Sequence, residues 1–366
     1  MKEFKCSIYR GGTSKGVCFL EYDLPKKELW TDFLCEVMGG ETKQIDGLGG
    51  GVSVTSKVAI ISKGKNCINY TFAQVAVDKH IVDFKSNCGN ISSIVGPFAY
   101  DSGLISEDML FKDECDEDHI CIRIYNTNTS KFIKSRFAIK GSEFNPNGKH
   151  KIAGVPGTAS KIELSFLEPQ SSLGRGLLPT NNELQTIQTS FGEIEISIVD
   201  AGAPLVFMRS KDLLIKGIYD EISQNELEKI EEVRGIASEL LGLASRKEAV
   251  FKNPAIPKAA LVDFSQDYIN MSKDNIKKNE SNIAVRMMSM QKPHPAIAIT
   301  GTVCIGMASL IQNSLVAKHL KNFDGKNLKI AHPSGIIECK VSHDFVQITR
   351  TARRILKGIV FTKQDF

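Results

Sequence analysis

Three short polar segments in the first half of the sequence combine hydroxyls, amides, a lysine and a cysteine in patterns suited to holding and deprotonating a small carboxylic acid. The first, RGGTSKG at residues 10–16, joins flexible glycines to the hydroxyls of Thr13 and Ser14, which suits capture of a carboxylate. A plain glycine turn between two strands is the alternative. The Gly-Lys-Ser/Thr order of a nucleotide-phosphate loop is missing, so ATP is not implied.

The second segment is the glycine-rich run GLGGGVSVTSKVAI at residues 47–60. Alternation along a strand predicts that Ser53, Thr55 and Lys57 share one face. Apolar neighbours such as Val58 would partly desolvate the lysine and make it a candidate general base. A solvated lysine on a half-buried strand is the alternative.

The third segment, Asn87-Cys88-Gly89-Asn90, opens an apolar helical pattern that runs from Gly89 to Leu104. This pattern predicts a buried helix with Cys88 at its N-terminus, where free N–H groups stabilise a thiolate or a bound carboxylate. A small buried cysteine without chemistry is the alternative.

The second half repeats this plan. Thr300-Gly301-Thr302 opens a second small-residue helix, predicted over Gly301–Lys318, and the cations Arg286, Lys292 and His294 lie just upstream. A polar loop would also account for those cations. Because each half places one apolar helix with a polar start among many strands, the sequence indicates a duplicated domain.

Short β-branched runs and amphipathic patterns predict the other elements. The predicted strands are residues 5–9, 58–62, 120–124, 131–139, 193–199, 205–208, 259–264 and 282–288, and the further helices are residues 23–38, with Asp23 as N-cap and Gly39-Gly40 as stop, and a helix within residues 223–241.

Composition excludes several classes of protein. The 366 residues carry a diffuse net charge of +4, which is too weak for nucleic-acid binding. The nine cysteines are scattered, and no apolar leader or membrane-length run is present, so we expect reduced thiols, a cytoplasmic location and no membrane or nucleic-acid partner.

Several motifs together resemble one known family. They are RGGTSKG (10–16), TSKVAI (55–60), NCGN (87–90), GVPGT (154–158), TGTVCIGMA (300–308), HPSG (332–335) and RTARR (350–354). In this order they are similar to the PrpF family, whose members act as 2-methylaconitate cis-trans isomerases, methylitaconate Δ-isomerases or 4-oxalomesaconate tautomerases. The resemblance runs from residue 10 to about residue 362.

The resemblance implies the α+β fold of diaminopimelate epimerase: two similar domains, each a rolled, mostly antiparallel sheet around a central helix, with the active site in the cleft between them. We expect the N-terminal domain at residues 1–165, completed by the C-terminal strand 350–366, and the second domain at residues 166–349. Racemases of this fold use two cysteines, one at the start of each central helix. Here Thr300 replaces the second thiol, which argues against racemisation.

The resemblance also implies the roles of the site residues. Lys57 would be the acid/base, with Cys88 beside it either as proton donor or as a residue that shapes the pocket. The substrate-binding candidates are Thr13, Ser14, Ser53, Asn87, Gly89, Asn90, Arg286, Lys292, His294, Thr300, Gly301 and Thr302.

The expected activity is an allylic proton shift or a cis-trans isomerisation of an unsaturated di- or tricarboxylate, without cofactor or metal. The best guess is 2-methylaconitate, from the methylcitrate pathway of propionate degradation, and methylitaconate and 4-oxalomesaconate are the alternatives. The alternative from another class of function is an accessory protein of an iron-sulfur methylcitrate dehydratase. We expect a small polycarboxylate as the only ligand and a homodimer.

Overall fold

The chain folds into two compact units, one formed by Met1–Leu167 with Thr349–Phe366 and the other by Glu168–Ile348. The computed structural model describes residues 1–40, 43–84, 87–217 and 219–366. The first unit is called the N-unit below and the second the C-unit. Across the described ranges, no helix is long and apolar enough to cross a membrane.

The N-unit consists of strands wrapped on two helices. Its strands are β1 (Lys2–Gly11), β2 (Ser14–Leu20), β3 (Lys57–Lys63), β4 (Ile68–Val75), β5 (Val82–Asp83), β6 (His119–Asn126), β7 (Lys131–Lys140), β8 (Glu143–Phe144) and β9 (Ile162–Leu167), completed by the C-terminal strand β21 (Ala352–Thr362). The helices are α1 (Trp30–Met38) and α2 (Gly89–Asp101).

The C-unit has the same composition of elements. Its strands are β10 (Gln185–Thr189), β11 (Gly192–Ala201), β12 (Ala203–Arg209), β13 (Lys258–Asp263), β14 (Tyr268–Ile269), β15 (Asn275–Ile276), β16 (Ile283–Ser289), β17 (Lys292–Pro293), β18 (Asn327–His332), β19 (Gly335–Val341) and β20 (Phe345–Arg350). The last two residues of β20, Thr349 and Arg350, already belong to the N-unit. Its helices are α3 (Gln224–Leu240), α4 (Ala249–Lys252), α5 (Ile299–Ala308) and α6 (Leu315–Lys318).

Strand pairing shows that the two units are copies of one plan. The main strands of the N-unit follow the order β21-β1-β2-β3-β4-β6-β7-β9. Those of the C-unit follow β10-β11-β12-β13-β16-β18-β19-β20. In both, the seven successive pairs are antiparallel except for the third and the fifth, which are parallel. Each parallel pair requires a crossover connection, and every one of these connections contains a helix.

The two crossovers place one helix on each face of the sheet. In the N-unit, α1 packs with Phe19, Val58 and Ile60 on the outer face, whereas α2 is buried along ten of its residues on the inner face. In the C-unit, α3 packs with Ile196, Val206 and Leu261 on the outer face, and all ten residues of α5 are buried. Each unit therefore encloses one central helix, as the apolar patterns predicted.

Three predicted elements differ from the structure. The helix predicted from Asp23 begins only at Trp30, because Leu24 precedes Pro25 and is extended, and Gly39 ends it as predicted in the left-handed conformation with φ 104°. The helix predicted over Gly301–Lys318 breaks after Ala308. Ser309 and Ser314 donate hydrogen bonds to main-chain carbonyls there, which competes with helix continuation.

The third difference concerns the strand that was predicted to align Ser53, Thr55 and Lys57. Residues Ser53–Thr55 form a 3-10 turn instead, and β3 begins at Lys57. The turn is stabilised by the hydroxyls of Thr55 and Ser56, both of which donate to the carbonyl oxygen of Val52. The alternation argument was therefore wrong for Ser53, which is exposed.

Candidate active site

The RGGTSKG segment packs directly on the first turn of α2. It connects β1 to β2, with Gly12 in the left-handed conformation (φ 51°) and its N–H donating to the Thr351 carbonyl (2.9 Å). Asn90 Nδ2 donates to Thr13 Oγ1 (3.0 Å). Ser14 is buried and Thr13 is exposed. The structure thus brings Thr13, Ser14 and Asn90 together, as the sequence predicted.

Arginines from both ends of the chain brace this segment. Arg10 donates to the carbonyl of Gly12 (3.1 Å) and to both oxygens of Thr351 (2.8 and 3.0 Å). Burial, and then the positive charge of Arg353, lower the pKa of Arg10. The side chain of Arg350 passes close to Gly12, which identifies the RTARR motif as part of this neighbourhood. The sequence alone does not assign this motif to the site.

A second motif, GVPGT at residues 154–158, also lies here. Gly154, the first residue of GVPGT, has φ 79° and lies so close to Thr13 that a Cβ would approach its methyl group to 3.2 Å. The close approach explains a glycine at this position.

Lys57 is the first residue of β3 and is only 8% exposed. Val58 and Ile60 point to the α1 face, so Lys57 points to the α2 face by alternation. Its Nζ donates to Gln74 Oε1 and lies 5.3 Å from the centroid of the Phe72 ring. A nearly buried lysine thus faces the central helix with neutral groups as its partners.

The start of α2 supplies donors beside Lys57. Ile91 of its first turn lies over Gly16, the strand partner of Lys57 on β2. Cys88 is the half-buried N-cap residue, and the first backbone N–H groups of a helix have no intrahelical partner. Gly89 begins the helix, and Asn87 accepts a hydrogen bond from the buried Asn126 (3.0 Å). This is the arrangement that binds an anion at a helix N-terminus.

Tyr70, on β4, places a phenol that stays neutral on the α2 face. Burial, and then the proximity of Cys88, raise the pKa of Tyr70 well above its ordinary value. Cys18, on the neighbouring strand β2, is fully buried, and burial raises its pKa in the same way. Both groups therefore remain protonated at neutral pH.

In the C-unit, the predicted residues at the start of α5 are closely packed. Thr300 is 6% exposed, and Thr302 donates to the carbonyl of Ala298 (3.4 Å). Gly301 lies against the Met287 sulfur, so that a Cβ there would come within 2.6 Å of it. A side chain at this position would require the Met287 side chain to move.

The predicted cations of the C-unit do not converge on α5. Arg286 shares the face of β16 that Ala284 and Met288 present to α3, whereas Met287 faces α5. Its guanidinium donates to the carbonyl of Tyr219 (3.3 Å). The expectation that Arg286 contributes a cation at the start of α5 is wrong, because a strand sends adjacent side chains to opposite faces.

The other two predicted cations lie on the stretch that leads into α5. Lys292 is exposed on β17, and His294 Nδ1 interacts with the main chain of Ala296. Ser334, from the HPSG motif, donates to the carbonyl of Pro295 (2.5 Å). The structure therefore brings the HPSG motif to this stretch, which the sequence alone does not predict.

The duplication identifies a lysine that sequence reasoning missed. Lys258 is the first residue of β13, the strand equivalent to β3, and it is half-buried. Ala259 and Leu261 point to the α3 face, so Lys258 points to the α5 face. It occupies in the C-unit the place of Lys57 in the N-unit. In the sequence, Lys258 follows the outer helix of its unit just as Lys57 does. This equivalence can be recognised only once the strand order is known.

Solved structures of known proteins share this architecture. A methylitaconate-delta-isomerase crystal structure matches with a TM-score of 0.86 at 33% identity, over 99% of this chain and 96% of the other. A hydroxyproline epimerase from Agrobacterium vitis matches with a TM-score of 0.53 at 11% identity, over 99% and 93% of the chains, which concerns the fold alone. The fold class is that of the diaminopimelate-epimerase-like isomerases, as predicted.

Sequence comparison narrows this class to one family. A family model described as PrpF protein matches residues 1–363. A putative isomerase, YraM, of Bacillus subtilis is 42% identical over 100% of this chain and 99% of its own. The 3-methylitaconate isomerase of Eubacterium barkeri is 35% identical over 98% and 97%, and the 2-methyl-aconitate isomerase of Shewanella oneidensis is 30% identical over 96% and 94%. The chain belongs to the PrpF family and is an isomerase.

Proposed function

We propose that this isomerase moves a proton along an allylic system in an unsaturated di- or tricarboxylate, with Lys57 as the base. The observation that carries the proposal is the setting of Lys57: nearly buried, directed to the α2 face, and held by a neutral amide and an aromatic ring. An amine in such a setting can take a proton from carbon when it is uncharged.

The proposed reaction starts at a saturated carbon next to both a carboxylate and a carbon–carbon double bond. Lys57 Nζ takes a proton from this carbon, and the C–H electron pair delocalises over the double bond and the carboxylate as a dienolate. A proton is then returned to the far end of the allylic system, which moves the double bond, or rotation precedes reprotonation at the original carbon, which gives a cis-trans isomer. Atoms and charge balance without an added reactant.

The start of α2 is suited to stabilise the dienolate. The free N–H groups of its first turn and the amides of Asn87 and Asn90 are donors that need no reorganisation. Removing one such donor in other enzymes costs about 3 kcal/mol of transition-state stabilisation. Thr13 and Ser14 would hold a substrate carboxylate, and Cys88 would either return the proton or shape the pocket.

For the substrate, the names of the relatives support an unsaturated polycarboxylate of one of three kinds. Sequence resemblance placed 2-methylaconitate first. The 35% identity to a 3-methylitaconate isomerase, against 30% to a 2-methyl-aconitate isomerase, gives methylitaconate the stronger support of the two. An oxalomesaconate Delta-isomerase of Novosphingobium is 33% identical, so 4-oxalomesaconate stays a candidate beside these two.

The test is to give 2-methylaconitate, methylitaconate and 4-oxalomesaconate separately to the purified protein, with no partner added, and to follow each by proton NMR. The proposal expects one of the three to isomerise at least tenfold faster than the others, on the order of the discrimination that one pocket contact provides. Absence of turnover on all three acids would refute the substrate class.

A further inference from the structure

The side-chain amide of Gln74 links Lys57 to the turn that precedes it. Gln74 Nε2 donates to the carbonyl oxygens of Ser56 (2.9 Å) and Ser53 (3.1 Å). An amide oxygen cannot donate to carbonyl oxygens, so these two bonds fix which end of the amide is which. The oxygen, Oε1, must therefore face Lys57, and it accepts from Nζ.

The strand register makes Gln74 the neighbour that controls Lys57. Lys57 lies directly opposite Gln74 on β4 and directly opposite Gly16 on β2. Gly16 has no side chain, and its α-hydrogen side is closed by Ile91 of α2. Of the two residues directly opposite Lys57, only Gln74 has a side chain.

We propose that Gln74 is a positioning residue, which holds Lys57 Nζ on the α2 face through a neutral amide without placing a charge beside it. This inference rests on the proposed function of Lys57. A carboxylate at the same place would hold the lysine equally well but would favour its ammonium form. A glutamine at this position can therefore orient Lys57 without adding a negative charge beside it.

Other titratable groups on the α2 face must be distinguished from Lys57 in any pH experiment. They are Tyr9 on β1, Cys18 on β2, Tyr70 on β4 and Cys88 at the start of α2. Burial, and then the hydrogen bond that Tyr9 donates to Asp101 (2.7 Å), raise the pKa of Tyr9. Burial raises the pKa of both Cys18 and Tyr70 well above the ordinary value, so neither titrates near neutral pH. The contribution of the Cys88 thiol to the pH profile is removed by repeating the measurements on a Cys88→Ser background.

The first measurement needs no substrate. Acetylation of Lys57 by acetic anhydride, followed by mass spectrometry across pH, reports the fraction of neutral amine at this one residue. In Gln74→Glu the midpoint of labelling should move up by about 1 pH unit or more, because an adjacent carboxylate stabilises the ammonium form. The acid limb of kcat/KM should move by the same amount, with about a tenfold loss at pH 7 that is recovered at higher pH.

The uncharged variant Gln74→Met tests orientation alone. It removes the acceptor for Nζ without adding charge, so kcat should fall about tenfold with KM little changed, and the labelling midpoint should not rise. The matched control is Gln44→Leu. Gln44 Oε1 accepts from Ser56 Oγ (2.5 Å) and from the Gly51 N–H (3.1 Å), so this variant loosens the same turn without touching Lys57.

The proposal is overturned if Gln74→Glu labels at the wild-type midpoint, or if Gln44→Leu reproduces its shift. It is also overturned if Gln74→Met keeps wild-type kcat. These results are separable from the proposed function, because labelling of Lys57 is measured without turnover. Loss of turnover in Lys57→Ala tests that function independently.

Discussion

The substitution Gly12→Ala should disturb the proposed carboxylate-binding segment in a way that the structure makes quantitative. Gly12 has φ 51°, a conformation that costs a residue with a side chain about 1–2 kcal/mol. The added Cβ would also lie 2.8 Å from Asn90 Cγ, so Asn90 must move and its bond to Thr13 would break. That loss adds about 1 kcal/mol, for a total of about 2–3 kcal/mol.

A matched control is available in the same unit. Gly103 has φ 68°, and a Cβ there would meet nothing within 4 Å. Gly103→Ala should therefore cost only the backbone strain of about 1–2 kcal/mol and leave kinetics unchanged. Gly12→Ala should lower kcat/KM on the order of tenfold or more, because a hydrogen bond to a charged group is worth about 1.5–3 kcal/mol.

Urea unfolding and steady-state kinetics on both variants check these numbers. Equal free energies of unfolding for Gly12→Ala and Gly103→Ala, together with equal kcat/KM values, would refute the reasoning that Gly12 is required by the approach of Asn90.

Three further results are expected. Ser223→Ala removes the capping box with Glu226 at the start of α3 and should destabilise the protein by about 1 kcal/mol in urea, with no change in kcat. Because Ser223 lowers the pKa of Glu226, this difference in stability should shrink as the pH falls through that lowered pKa. Lys258→Ala should lower kcat/KM about tenfold if Lys258 contacts substrate as Lys57 does, and unchanged kinetics would exclude it. At pH 7, iodoacetamide should modify half-buried Cys88 well before Cys304, since burial raises the pKa of Cys304, as peptide mapping would show.

The duplication and the central helices were predictable because their signals are local. A run of ten or more small apolar residues after a polar start indicates a buried helix wherever it occurs, and α2 and α5 were both found where predicted at their N-termini. The α5 pattern continued past Ala308, but serine side chains bonded to the main chain ended the helix. Periodicity carries no information about such bonds.

The sequence predicted the site residues that lie together on short segments. It did not predict those whose neighbours are set by strand pairing. Thr13, Ser14 and Asn90 meet as expected because two motifs each bring several donors to one place. The prediction for Arg286 was wrong because the face of the sheet on which it lies depends on how β16 pairs with β13, and the sequence alone does not give this pairing. Gln74 was missed for the same reason, since only pairing of β3 with β4 sets it opposite Lys57.

The central claim, that Lys57 takes the proton from the substrate, is tested most directly by deuterium exchange. The best of the three candidate acids is incubated in D2O with wild type, Lys57→Ala, and Lys63→Ala as a control at the exposed end of the same strand. The account predicts that wild type and Lys63→Ala isomerise the acid and incorporate deuterium from solvent, and that Lys57→Ala loses both by a factor on the order of 10² or more. Deuterium incorporation at the wild-type rate in Lys57→Ala would contradict it.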